Sequence, residues 1–350
     1  MKTFNRIFVL LGLLGGLAVA QDAKHASNVS KVLATYTPAA DDHSPGAMAK
    51  AAEVFLGSLD EELRKQAALP FDSEEKAKWT NTPPRGPQGG VRLGDCDDKQ
   101  LRAACDLLRT VMSQQGYEKA RNIMLADDLL LRDGKPRPGF GAENFWLAIF
   151  GKPSATDAWA IQLDGHHVAF NLTFRGDAVS MSPSFIGTQP RAIKYAGKDI
   201  EVMEGESGVA YKLINTLSDE QKRVAIVSNR RGRMAAAAGK DGFVPELIGY
   251  PCKDFDKKQR KLLMKLLAEY VGDLPEPYAG KRLAQLEGEI DQMKLAWSGP
   301  TTRESDISYR LQGPTLIVEY ACQDLGGDPL DHLHSMYRDP TNEYGAKIIK

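Results

Sequence analysis

Between residues 145 and 185 the chain is rich in aromatic and β-branched residues that alternate with polar ones. That period-two pattern buries one face of a strand, and no helix can sort it onto a single side. Asp164-Gly165 separates the strand-like run 159–163 from 166–174, and such a pair between two runs predicts a hairpin turn. Arg175-Gly176-Asp177 predicts the next turn, before 178–181, so the block reads as a β-meander. A turn at Asp164-Gly165 pairs Leu163 with His166 and Gln162 with His167. His166 then shares the core face with Trp159, Ile161, Val168, Phe170 and Phe174. His167 shares the other face with Gln162, Ala169, Asn171 and Thr173.

Helical spacing surrounds this block. Val54, Phe55, Leu59 and Leu63 mark a helical region over 48–69, and a second runs over about 98–131 with an interruption at Gly116. The Pro- and Gly-rich stretch 82–94 breaks regular structure between them. Helices return over 206–227, where Ser218 with Gln221 predicts a capping box that starts a new helix. Two more are predicted over 254–271 and 279–295, and strand-like segments follow at 308–312, 315–320 and 332–337. Strand blocks divided by helices predict an α+β fold. Its mostly antiparallel sheet joins the central β-meander to the C-terminal strands, with helices packed around it. Residues 21–45 read as a mobile lead-in and 46–350 as a single domain.

The first twenty residues have the order of an export signal. Lys2 and Arg6 precede an apolar run over 7–19, and Ala18-Val19-Ala20 offers a small-residue cleavage site. The run is short of the ~20 residues that span a bilayer, so the expectation is a secreted or periplasmic protein with no membrane span after cleavage. The 45 basic and 46 acidic residues argue against a nucleic-acid partner, which calls for a basic excess. In an oxidising compartment the four cysteines can pair, and Cys96 with Cys105 is the favoured bridge because they are close in sequence. Cys252 and Cys322 also read as buried thiols.

Of six histidines, four form two clusters, His166-His167 and His332-Leu333-His334. On a strand His332 and His334 project from one face, near enough to share an ion. Imidazole suits zinc, copper, iron or nickel. His167 is the better third ligand, and His166 the structural histidine or an additional ligand. Glu319 lies in an apolar strand where a charge needs a partner. It is expected to ligate the ion, act as general base, or pair with Arg338, which shares the nominal face of His332 and His334 and is placed to orient an anionic substrate group. The other reading makes these histidines structural and Glu319–Arg338 a plain ion pair. Two functions stay open. One is an exported metalloenzyme acting on a small-molecule or polymeric extracytoplasmic substrate, hydrolytic with zinc and oxidative with iron or copper. The other is a non-catalytic extracytoplasmic binding protein.

Three long runs carry a resemblance. They are Trp159-Ala160-Ile161-Gln162-Leu163-Asp164-Gly165-His166-His167, Gln312-Gly313-Pro314-Thr315-Leu316-Ile317-Val318-Glu319-Tyr320 and Asp331-His332-Leu333-His334-Ser335-Met336-Tyr337-Arg338-Asp339. In this order they resemble the domain of unknown function 3500 family, from about Trp79 to the C-terminus. The family pattern tends to have Asn, Ile and Trp where this chain has Asp331, Leu333 and Tyr337, while both histidines are kept. The resemblance implies no activity, but it implies that both histidine clusters belong to one domain.

Overall fold

A computed structural model describes residues 27–39, 42–86, 88–131, 135, 137–325 and 327–349. The signal-like segment and residues 21–26 lie outside the described residues. The helices are α1 (Asn28–Thr35), α2 (Pro45–Ser58), α3 (Glu61–Ala67), α4 (Asp98–Val111), α5 (Gln114–Asp128), α6 (Glu204–Ile214), α7 (Asp219–Ala225), α8 (Lys257–Val271) and α9 (Glu276–Glu289). The strands are β1 (Ala68–Leu69), β2 (Val91–Arg92), β3 (Phe145–Phe150), β4 (Trp159–Gly165), β5 (Val168–Arg175), β6 (Ala178–Thr188), β7 (Ala192–Tyr195) and β8 (Lys198–Glu201). They continue with β9 (Ile226–Ser228), β10 (Tyr250–Pro251), β11 (Lys294–Ser298), β12 (Ser308–Gly313), β13 (Leu316–Cys322) and β14 (Leu333–Arg338).

Twelve strands make one sheet in the order β1-β3-β4-β5-β6-β14-β13-β12-β11-β10, with β2 on β3 and β9 on β11. The fold is α+β and the sheet mostly antiparallel. It departs from a strict meander: β6 neighbours β14, and β1–β3 and β9–β11 are parallel pairs. The meander and the C-terminal strands therefore meet at one ladder, β6 against β14, where His334 faces Gly187. The hairpin β7–β8 forms a separate two-stranded sheet.

Helix starts follow local chemistry. Asp97, Ser218 and Asp256 each accept the third helical amide while Gln100, Gln221 and Gln259 return the bond to the cap; an N-cap of this kind is worth about 1 kcal/mol. Helix α1 replaces the expected lead-in: Ser27 caps it, and Val29, Val32 and Leu33 are buried on one side, a pattern too brief for periodicity to reveal. The helix expected to run to residue 295 ends at Glu289, and Lys294–Ser298 forms β11. Leu295 and Trp297 join the core from that strand, which serves burial as well as a helical turn would.

The two sheet faces are covered differently. Leu333 and Tyr337 of β14 belong to the main core with α4, α5, α6 and α8. Met336, from the opposite face, packs with Ala169 of β5, Phe185 of β6, and Trp79, Met234, Ala238 and Tyr344 from outside the sheet. Under the helices, Lys119 of α5 sits 2.6 Å from Glu206 of α6 and 2.9 Å from Asp273 after α8. This buried ion cluster ties three helices together; removing one partner would strand a charge. Among the described residues no helix is long and apolar enough to cross a membrane.

Candidate metal centre

The turn between β4 and β5 lies two residues later than expected. Gly165 pairs with Val168 and Leu163 with Phe170, so His166 and His167 are themselves the turn. Gly165 is required for space: a Cβ there would meet Phe145 Cδ1 at 2.4 Å and the Asn144 carbonyl at 2.9 Å. The Asp-Gly pair is thus a signature of β3 packing close, rather than of the turn. Asp164 accepts the Thr80 amide at 3.2 Å, and burial pushes its carboxyl up to about 7.

His167 has φ +69°, a left-handed conformation that costs a non-glycine residue about 1–2 kcal/mol. Its surroundings fix it there. The Gly187 amide donates to its carbonyl at 2.7 Å, and the His166 ring stacks on its own with centroids 3.7 Å apart. His166 Nδ1 lies 2.5 Å from Asp127 Oδ1 at the end of α5, and Asp127 Oδ2 accepts the Gly141 amide at 2.6 Å. Phe140 covers His166 edge-on at 4.8 Å.

His332 immediately precedes β14 and His334 lies in it, so strand alternation puts both rings on one side. His332 Nε2 is 2.9 Å from His167 Nε2 and 3.1 Å from His334 Nε2. A tetrahedral ion with bonds of about 2.0–2.1 Å sets its donor nitrogens about 3.3 Å apart, so both separations from His332 Nε2 stand within a few tenths of an ångström of that spacing, and all three donors lie within 4.8 Å of one another. The Leu325 carbonyl is 2.5 Å from His332 Nδ1. A carbonyl only accepts, so Nδ1 carries the hydrogen and the neutral ring presents a lone pair at Nε2. Burial, and then neighbouring imidazoles, hold His167 and His334 well below the ordinary histidine range; burial also lowers His332. Neutral imidazole is the form that ligates. His167, His332 and His334 can therefore serve as three donors to one ion, and Asp127, His166 and His167 form an adjoining group. Phe185 closes the edge of His334 at 5.1 Å.

Glu319 and Arg338 are engaged elsewhere, which corrects the expectation that they pair or join the histidines. Glu319 Oε2 accepts the Ala235 and Ala236 amides at 2.8 and 2.7 Å, and Arg310 Nε donates to Oε1 at 2.8 Å. Arg338 donates to Glu343 at 2.5 Å and to the Phe243 carbonyl at 3.1 Å. Both lie on the face of Met336, where Arg310 of β12, Glu343 and the irregular segment over that face supply their partners. His166 leaves the expected core face of β5 for Asp127, a residue the sequence reading missed; its one signal is a carboxylate pair, Asp127-Asp128, ending a helix. The favoured Cys96–Cys105 bridge is absent: all four cysteines are free and buried.

Comparison with known proteins finds no match among curated sequences and none among solved structures. One family does match, described as "Protein of unknown function (DUF3500)", over residues 41–346. Covering most of the chain, the match establishes that this protein belongs to the DUF3500 family.

Proposed function

We propose that the chain is an exported metalloprotein whose ion is held by His167, His332 and His334. The observation that carries this reading is the convergence of three Nε2 atoms, at 2.9 and 3.1 Å, from a hairpin turn and a distant strand. Three lone pairs crowded together repel unless a proton or a cation lies between them, and His332 has already placed its hydrogen on Nδ1. Zinc, iron and copper all accept this donor set. Three protein ligands leave a position for water or substrate, so zinc would supply hydrolytic chemistry, and iron or copper oxidative chemistry. In either case the chain's part is to hold the rings: Leu325 fixes the His332 tautomer, and the Asp127–His166 pair braces His167 from behind. The export assignment rests on the sequence of residues 1–20 and points to an extracytoplasmic substrate, small or polymeric.

A second reading has its own support. His167, His332 and His334 are only 1, 6 and 9% exposed, and imidazoles at these distances satisfy one another by hydrogen bonds. They would then be structural parts of a non-catalytic binding protein. Elemental analysis of the purified protein beside His332→Ala/His334→Ala separates the two. One equivalent of a transition metal, lost in the folded variant, supports the metalloprotein. No metal in either after loading with zinc, copper and iron transfers the case to the binding protein.

A further inference from the structure

A cavity of about 300 Å³ lies between α9 and the end of the sheet where β6 starts and β14 finishes. It is separate from the histidines. Met181 stands six residues before Gly187 on β6, about 20 Å away at ~3.3 Å per residue. Tyr337 belongs to the helix face of β14, and His334, three residues earlier, to the other. The volume is at the low end of the ~300–1,000 Å³ of small-molecule sites, which suits one small molecule rather than a polymer.

The cavity is lined by charges of both signs that are loosely paired. Arg282 of α9 donates from Nε to the Tyr337 hydroxyl at 2.8 Å, and from Nη1 and Nη2 to the Thr315 hydroxyl and carbonyl at 3.0 and 2.5 Å. Its Nη1 is 3.5 Å from Asp339 Oδ2, longer than the roughly 2.7–2.9 Å of a charge-assisted bond. Asp339 Oδ1 accepts the Thr341 amide and hydroxyl at 3.0 and 2.6 Å, while Oδ2 accepts no hydrogen bond from a described residue. The Arg282 and Asp339 side chains are only 12 and 13% exposed. The Tyr337 hydroxyl accepts from Arg282, and no described residue takes its own hydrogen. At the mouth Lys281 and Asp177 are exposed, and neither forms a hydrogen bond or ion pair with a described residue. Glu289 accepts the Thr315 hydroxyl at 2.7 Å but does not line the cavity, so two charges of each sign face it. Met181 and Leu274, both buried, add an apolar wall.

This mixture of signs selects the ligand. A simple carboxylate would be repelled by Asp339 and Asp177, and a simple amine by Arg282 and Lys281. A ligand with both charges close together escapes both penalties. In an α-amino acid the backbone sets the ammonium nitrogen and carboxyl carbon about 2.5 Å apart, a scale that suits the 3.5 Å between Arg282 Nη1 and Asp339 Oδ2. A neutral polyol would satisfy the polar groups but gain nothing from the apolar wall.

We propose that this cavity binds a zwitterionic α-amino acid with an apolar side chain. Its ammonium lies against Asp339 and Asp177, and its carboxylate against Lys281, Arg282 and the Tyr337 hydroxyl. Its side chain lies against Met181 and Leu274. The proposal is independent of the metal reading.

The test is calorimetric titration of protein lacking residues 1–20 with L-valine, L-leucine and L-methionine. Each is paired with the acid that lacks its ammonium and the amine that lacks its carboxylate. The described fold begins at Ser27, so that removal does not touch it. At least one amino acid should bind with a submillimolar Kd, and its acid and amine about tenfold more weakly or worse. Asp339→Asn should bring the amino acid to the level of its acid, and Lys281→Gln should bring it toward that of its amine. If Asp339→Asn unfolds, Asp177→Asn at the exposed mouth asks the same question. His332→Ala/His334→Ala should bind like wild type, since the histidines are on the other face. No binding of any of the three overturns the proposal, as does an acid or amine that binds as well as its amino acid. Folded Asp339, Asp177 and Lys281 variants that all bind like wild type also overturn it. Binding lost in the histidine variant would overturn it in favour of amino acid held by a metal ion, and tighter binding of glucose in favour of a polyol.

Discussion

Gly187→Ala should damage the histidine centre without touching a ligand. Gly187 faces His334 across the β6–β14 ladder. A Cβ at this position would sit 2.9 Å from His167 Cδ2, 2.9 Å from His334 Cδ2 and 2.9 Å from the Leu333 carbonyl oxygen. Carbon–carbon contacts settle at about 3.5–4.0 Å, so each ring must retreat by roughly 0.6 Å. The carbonyl belongs to the ladder and yields least, which leaves the rings to move. Metal sites tolerate errors of about 0.2 Å in ligand distance, so we predict at least a ~10-fold loss of zinc affinity. Overpacking should also cost the metal-free fold about 1–3 kcal/mol. Chelator competition measures the first effect and urea unfolding of metal-free protein the second. Wild-type values in both would refute the close approach at Gly187. A lowered urea midpoint with wild-type zinc affinity would refute zinc binding by these rings, and leave only the packing.

Asp127→Asn keeps the shape of the side chain but removes the charge behind His166; zinc affinity should fall about 10–100-fold in folded protein, and unchanged affinity would show that this brace does not reach the ion. Glu319→Ala strands two backbone amides and Arg310, so unfolding should cost about 3–5 kcal/mol less while the folded fraction keeps its metal; lost metal would put Glu319 back in the site. Acidification supplies a third test. His167, His332 and His334 stay neutral in the fold below their ordinary 6.5, whereas the unfolded chain takes up protons. Each therefore removes up to about 1.4 kcal/mol of stability per pH unit as pH falls below 6.5. Asp164 and Asp273, pushed by burial up to about 7 and about 6, act in the opposite sense: their contribution is full below an ordinary carboxyl pKa and drains as pH rises through those values. The histidine part is thus the difference between metal-free wild type and His332→Ala/His334→Ala. Between pH 7 and 5 the wild type should lose more, and parallel curves would count against buried neutral imidazoles.

What the sequence made legible depended on whether the signal was local. Strand alternation alone puts His332 and His334 on one side, and the capping pairs at Ser218 and its counterparts mark helix starts without tertiary help. The β4–β5 register was misread because Gly165 has a tertiary reason to be glycine, the Phe145 ring, that resembles a turn requirement. Asp127 was invisible for a related reason: nothing near it in sequence says that a histidine 39 positions on will reach back to it. Glu319 does carry the partner its burial demands, but the partners are Arg310 and the amides of a segment whose path no periodicity records. Short edge pairings such as β1–β3 are likewise set by where the chain passes, since two residues hold no period.

The position of the histidines on the seam between the sheet's two halves has a mechanical consequence. His167 and His332 are 165 residues apart, so an ion joining them would close a loop of that length. By chain entropy alone a link of this span is worth about 5 kcal/mol. The four cysteines are all buried thiols, so such a protein would carry its long-range cross-link as a coordination bond. Its resistance to unfolding would then follow the supply of metal rather than the redox state of its surroundings.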